Sequence, residues 1–392
     1  GAEVRDGALI NYGASAGYIG IRLLVKNSLR MSSPSENPTP DGLAGWWTYF
    51  KFIFQDFQTV LAPTFSEQAS SAEIARMRQM LESDLDEGAI GIGLALDYIS
   101  EAVNDAELKM IFAVAGERQA PLFVHVRRGV NGDPSGLREV LSLAEQTNAP
   151  VHICHITHNA MGNVELFLRE VREAQGKGVD VTVGVLPYNA GSTAIGAAVF
   201  SRDWQTIFDI SYEDVEWAAT GERFDKVMWE TYREEQPSGA VIHHYLQEEW
   251  TRRALLEPGS IVVSDLIPMK SLEEKVPPHN GAFSKILARY VREQNALDLM
   301  DALGKMTVLP ARRLQNYAPA FARKGRVQPG MDADLVIFDP DLIEDRASYR
   351  DPYQTALGIE HVVVAGIPVI SNAKLLPNVS PGRYLSAKNQ LD

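Results

Sequence analysis

The 392-residue chain contains a single cysteine, Cys154. That excludes an intrachain disulfide framework and any metal cluster built on several thiolates. Positive charge is in short supply: 37 Lys and Arg against 51 Asp and Glu leave a net charge of −14. Without a positive field to meet phosphate backbones, nucleic acid is not an expected partner. No run of about 18 apolar residues occurs, so no membrane-spanning helix is expected. There is no glycine-rich phosphate loop and no G-x-S-x-G elbow for a serine nucleophile. The chain opens Gly1-Ala2-Glu3-Val4, with neither an initiator methionine nor a basic-then-apolar leader. It is expected to begin partway through a longer protein, and a cytoplasmic location is the expectation.

What is present is ordinary globular composition, 45% hydrophobic and 22% charged. Apolar runs begin near Ala89 (AIGIGL), Leu122 (LFVHV), Val151 (VHICHI) and Val181 (VTVGVL). Their spacing of about 30 residues is the signature of repeated strand–helix–strand units in a parallel sheet. The helices between them are legible. Ser70 with Glu73, and Asn104 with Glu107, read as capping boxes. Single apolar stripes follow at Ile74, Met77 and Leu81; at Leu108, Ile111, Phe112 and Ala115; at Leu137, Val140, Leu141 and Ala144; and at Val164, Phe167, Leu168 and Val171. Residues 8–12 and 260–264 extend the series to six strands. An eight-stranded barrel needs two more, and nothing before Ala8 can supply them.

Residues 32–40 form a low-complexity loop, followed by Trp46, Trp47, Tyr49, Phe50, Phe52, Phe54 and Phe57. This aromatic cluster reads as a helix packed on the barrel, with a lid or a subunit interface in a homo-oligomer as the alternative. Residues 200–258 break the strand rhythm and read as a helical cap. Residues 333–338, 361–365 and 367–370 read as short antiparallel strands. The division is therefore a barrel over 1–318, carrying insertions at about 30–66 and about 200–258, and a small β-sandwich domain over 319–392.

In such barrels the working groups sit at the carboxyl ends of the strands. His125 ends one predicted strand, His155 the next and Asp265 the last, and imidazoles converging with a carboxylate suit a divalent metal, most often zinc. His152 and His155 differ in parity by three positions, so at most one of them is expected to enter the barrel. Cys154 shares the parity of His152 and reads as a packing residue. His243 and His244 read as surface or cap residues, His361 as part of the β tail, and His279 as a solvated loop residue with reach to substrate as its alternative. Arg127 and Arg128 follow His125; a guanidinium grips carboxylates in bidentate fashion, and a surface ion pair is the plainer alternative. Tyr188, Asn189, Ser192 and Thr193 follow another strand as hydrogen-bond donors for the same anion.

The segments EGAIGIGLALDY, LFVHVRR, VHICHI, PYNAGST, VVSD, GAFSKILARYVRE, MTVLPARRL and GMDADLVIFDP resemble the D-aminoacylase branch of the amidohydrolase superfamily, in the flavour of the N-acyl-D-glutamate deacylases. The resemblance runs from Ala8 onward. It implies a TIM-type (β/α)8 metal-dependent hydrolase barrel with one or two zinc ions at its mouth. It implies His125 and His155 as metal ligands, Asp265 as general base, and Tyr188 and Ser192 holding the carboxylate of a small-molecule substrate with Arg127 nearby. The family's first-strand H-x-H and second-strand ligand have no counterpart here, so the barrel is expected to lack its first two strands, to leave an open edge prone to association, and to hold metal weakly. Thr157 stands where the family often has lysine. Arg128 stands where it usually has an acid, and suits a diacid such as N-acyl-D-glutamate. Two rivals are a cyclic-amide hydrolase of dihydroorotase type and a metal-free structural or binding relative.

Overall fold

The computed structural model describes residues 7–28, 62–266 and 279–388. The loop and aromatic cluster of residues 30–61 lie outside the described residues, as does the His279 side chain. Five short strands form in succession: β1 (Ala16–Gly17), β2 (Ile92–Ala95), β3 (Leu122–His125), β4 (Val151–Ile153) and β5 (Val181–Val185). The chain then builds a separate sheet from β6 (Gly191–Ala194), β7 (Val215–Trp217), β8 (Glu222–Arg223) and β9 (Ala240–His243), and returns as β10 (Ile261–Val262). The first sheet runs β1-β2-β3-β4-β5-β10 with every neighbour parallel. Helices connect its strands and cover one face, the arrangement of an α/β barrel wall. The two further strands of an eight-stranded barrel are not among the described residues.

The helices form where the caps and stripes predict. Ser70 and Glu73 exchange both bonds of a capping box, and Gly88 ends the Ser71–Glu87 helix with φ 107°, a left-handed conformation glycine adopts without steric cost. Met77, Leu81 and Leu85 are its buried face. Leu137, Val140, Leu141 and Ala144 of the Ser135–Thr147 helix pack with Leu122, Val124, Val151 and Ile153 in one core. Asn104 caps the Asp105–Arg118 helix by accepting from the Glu107 amide. The expected reciprocal bond is absent, because the Glu107 carboxylate turns inward to a stronger partner.

That partner is Arg22. Its Nη1 lies 3.1 and 3.2 Å from the two Glu107 oxygens, Nε donates to Thr64 O at 2.9 Å, and Nη2 donates to Glu67 O and Ala102 O. Tyr18 Oη donates to Glu107 Oε1 at 2.7 Å. Both charged side chains are fully buried. The pair is tolerated because every donor of the guanidinium has an acceptor.

Two expectations are corrected. Residues 8–12 are not a strand of the parallel sheet: Ala8 and Tyr12 bridge Gly382 and Tyr384, and the first strand begins at Ala16. The cap is not purely helical. Its centre is the antiparallel sheet β6-β9-β7-β8, with the Trp204–Phe208 and Lys226–Glu235 helices packed on it through Phe200, Trp204, Phe208, Phe224 and Trp229. In the tail, β11 (Leu335–Phe338), β12 (Ile359–Val364), β13 (Ile367–Ser371) and β14 (Lys374–Leu375) make one antiparallel sheet. The second, facing sheet that a sandwich needs is not among the described residues.

Replacing one member of the buried pair strands the charge of the other. Arg22→Met is expected to lower the unfolding free energy by about 3–5 kcal/mol, and Arg22→Met with Glu107→Leu to recover most of that loss, as read by urea denaturation.

Candidate active site

Side-chain alternation places Leu122 and Val124 of β3 against the helices, leaving Phe123 and His125 on the opposite, inner face. On β4, Val151 and Ile153 face the helices. His152 faces inward, edge-on to Phe123 with ring centroids 5.9 Å apart and with Nδ1 2.8 Å from Thr182 Oγ1. Gly184 leaves room for it, since a Cβ there would stand 2.8 Å from His152 Nε2.

Past Cys154 the alternation fails. His155 adopts φ 30° and ψ 59°, a left-handed conformation rare outside glycine. The turn swings its ring inward as well, so His152 and His155 lie on the same side, against the parity expectation. His125 Nδ1 and His155 Nε2 are 2.7 Å apart, one ring donating to the other's lone pair, with ring centroids 4.3 Å apart. Asp265, exposed at the end of β10, has φ 48°. They are two of twelve non-glycine residues with positive φ among the described residues, and such backbone strain is known at functional sites.

The electrostatics agree with the geometry. Burial lowers the pKa of His125 and brings that of His155 down to about 3, while the nearby Asp265 charge works the other way on both. Both rings are therefore neutral near pH 7, the state in which imidazole binds metal. Burial pushes the Cys154 thiol up to about 12, which keeps it protonated near pH 7.

The two neighbouring arginines separate. Arg127 donates to Glu139 Oε2 at 2.9 Å, to Val103 O at 3.0 Å and to Ser100 O. These donors fasten loops around the strand end. Arg128 is buried with its guanidinium carbon 4.8 Å from the Phe208 ring centroid and 5.7 Å from that of Tyr245. Asp97 accepts from the Arg128 amide at 2.9 Å and from Arg202 Nη2 at 2.8 Å, and lies 3.7 Å from Arg128 Nη1. Burial pushes the Asp97 carboxyl up, but Arg128 and Arg202 outweigh it and hold it below its usual value. Asp97 and Arg202, with Tyr98 and Arg233, also line a cavity of about 650 Å³ between the cap and the strand ends.

Tyr188 Oη donates to Asp345 Oδ2 at 3.0 Å, with Lys285 Nζ 4.2 Å from its ring centroid. This bond ties the tail to the barrel. Ser192 lies on β6, and its buried Oγ has no protein partner. His243 is buried rather than surface-exposed, stacked on Tyr245 at 5.0 Å, whereas His244 pairs with Glu216 at 3.2 Å. His361 lies on β12 opposite Ile337.

Asp97, Arg202 and Tyr245 were not singled out from the sequence. Asp97 had a signal, since it ends the predicted strand of EGAIGIGLALDY; Arg202 and Tyr245, inside the cap, had none.

Among the described residues no group of three His, Cys, Asp or Glu side chains is placed to hold a metal ion. His125 Nδ1 and His155 Nε2 converge and both rings are neutral near pH 7, so they suit two positions around zinc once the hydrogen between them is given up and the rings part slightly. A catalytic zinc generally takes three protein ligands and keeps one position open.

No protein-family model matches the chain. It is 31% identical over 332 residues to an N-acyl-D-glutamate deacylase of Alcaligenes xylosoxydans xylosoxydans, covering 81% of this chain and 65% of that protein. It is 30% identical over 324 residues to a D-aminoacylase of the same organism, covering 80% and 64%. The chain thus spans just under two thirds of these curated relatives. Its fold is similar to the crystal structure of N-acyl-D-glutamate deacylase from Bordetella bronchiseptica complexed with zinc and a phosphonate inhibitor, a mimic of the tetrahedral intermediate. That likeness has a TM-score of 0.72 at 24% identity, over 97% of this chain and 88% of that one.

His152 supplies a pH test. Burial, and secondarily Arg313, lower its pKa to about 3. An unfolded histidine takes its proton near about 6.5. Between those values the unfolded chain binds more protons, so stability falls as pH drops. In His152→Gln the slope of unfolding free energy against pH from about 6 to about 4 is expected to be shallower, by up to about 1.4 kcal/mol per pH unit.

Proposed function

We propose that the chain, similar to N-acyl-D-amino-acid deacylases over 80–81% of its length, belongs with them in the amidohydrolase superfamily and hydrolyses the amide bond of an N-acyl-D-amino acid, with an acidic amino acid such as D-glutamate as the favoured class. The observation that carries this reading is the 2.7 Å approach of His125 Nδ1 and His155 Nε2 at the ends of neighbouring parallel strands, within the field of Asp265.

In this reading His125 and His155 hold zinc. When bound, zinc supplies a Lewis acid that eases deprotonation of water and polarises the amide carbonyl. The remaining steps fall to the chain's own groups. The Asp265 carboxylate takes the proton from the attacking water and returns it to the leaving amine nitrogen. Arg128, braced by Asp97 and by the Phe208 and Tyr245 rings, receives the side-chain carboxylate of the substrate. Ser192 Oγ, buried and unpaired, is the donor left for the α-carboxylate. Arg127 and Tyr188 take no part, being committed to Glu139 and Asp345.

The test is hydrolysis by the zinc-supplemented chain of N-acetyl-D-glutamate, N-acetyl-D-glutamine and cyclic amides. Asp265→Asn is expected to lower kcat by about 10²–10⁴ with metal content unchanged; retained turnover in that variant overturns the base assignment. Arg128→Met is expected to cost about 10–100-fold in kcat/KM for the glutamate substrate and little for the glutamine one. Turnover of cyclic amides alone moves the chain to the dihydroorotase type. The missing third ligand among the described residues favours one further reading, a metal-free binding relative, and full zinc occupancy on metal analysis would rule against it.

A further inference from the structure

The cavity of about 650 Å³ between the cap and the strand ends has no part in the reaction described above. Its volume lies in the range, about 300–1,000 Å³, of sites that enclose small organic molecules. Neither His125 nor His155 lines it.

Charge in this cavity is ordered by depth. Inside lie Asp97, its side chain 5% exposed, and Arg202, 16% exposed. Arg202 Nη2 donates to Asp97 Oδ1 at 2.8 Å. Its Nη1 has no acceptor among the described residues and, unlike Nε, remains open to water. Arg233 lines the same cavity but spends its donors on Phe200 O at 2.7 Å and Ser201 Oγ at 3.2 Å. The acids stand at the rim. Glu101 comes from the turn beyond β2, and Glu230 and Glu234, four residues apart, share one face of the Lys226–Glu235 helix. All three are exposed. Glu230 lies 3.8 Å from Lys226, whereas Glu101 and Glu234 have no cationic partner among the described residues. Phe65, Ala198 and Pro237 contribute apolar wall.

This pattern discriminates among ligands. The rim repels a polyanion and Arg202 repels a cation. A wholly apolar molecule would cover Arg202 Nη1 and leave it without an acceptor. A ligand with a negative inner end, an apolar middle and a positive outer end meets all three parts. We propose that the cavity binds a short zwitterionic peptide, its terminal carboxylate on Arg202 Nη1 and its ammonium among Glu101, Glu230 and Glu234. A guanidinium suits the carboxylate. The peptide amino group stays protonated at pH 7, below its pKa of about 8. The site does not depend on the proposed amide hydrolysis.

The probe is alanyl-leucyl-alanine, titrated calorimetrically into the full chain at pH 7, beside its N-acetyl and C-terminal amide forms. The free peptide is expected to bind one to one. Amidation is expected to weaken it by at least about tenfold, by removing a charge-assisted bond. Acetylation is expected to weaken it by about two- to fivefold, the smaller worth of exposed ion pairs. In Arg202→Met the acid and amide forms are expected to bind alike. In Glu101→Gln with Glu234→Gln, both at exposed positions, the free and acetylated forms are expected to bind alike while the acid still exceeds the amide. No saturable binding by the wild-type chain, an amide or acetylated form as tight as the free peptide, or a preference that survives the substitution meant to remove it would each overturn the proposal. The three-peptide comparison on the wild-type chain and the rim variant decide it even if Arg202→Met fails to fold.

Discussion

The left-handed turn at His155 is the constraint on which the site depends. A regular strand would have sent this ring into the helix layer beside Ile153, where a polar imidazole has no place. With φ at 30° the ring instead meets His125 across the sheet. The cost is local strain of about 1–3 kcal/mol. It persists because the flanks are pinned: Cys154 N–H donates to Val124 O, His158 N–H to His155 O, and the short helix that follows is wholly buried. The chain cannot relax the turn without unpairing β3 from β4.

Charge at the strand ends is organised around Asp97. One carboxylate answers two guanidiniums, Arg128 from the barrel and Arg202 from the cap. The cluster of three keeps a net charge of +1, and its members come from a strand end, the next strand end and an inserted domain. Cap and barrel are thus held by an interaction that also sets the sign of the local field. Phe208 and Tyr245, both from the cap, supply the ring faces that shield Arg128 from water.

How much of this could be read from the chain depended on whether the signal was local. Periodicity exposed the strands from β2 to β5 and their helices, since a stripe of Leu137, Val140, Leu141 and Ala144 declares its own face. The Ser70 box was legible because its partners are three residues apart. The carboxyl-end rule picked out His125, His155 and Asp265, of which the two imidazoles lie side by side. What escaped was set by distant partners or by single dihedral angles. Nothing near Arg127 distinguishes it from Arg128; Glu139 and two carbonyls decide the matter. Glu107 abandons its capping role for Arg22, 85 residues earlier. The cap's strands are too short, at two to four residues, to show an alternation of their own.

The bridges from Ala8 to Gly382 and from Tyr12 to Tyr384 impose an order on biogenesis. A ribosome releases residues 8–12 long before residues 382–384 exist, so they wait without these partners while about 370 residues are made. Contacts of such sequence separation raise contact order and slow folding. The stitch is therefore a late event, and until it forms, the β1 edge, terminal in the sheet among the described residues, is a surface a chaperone has reason to shield.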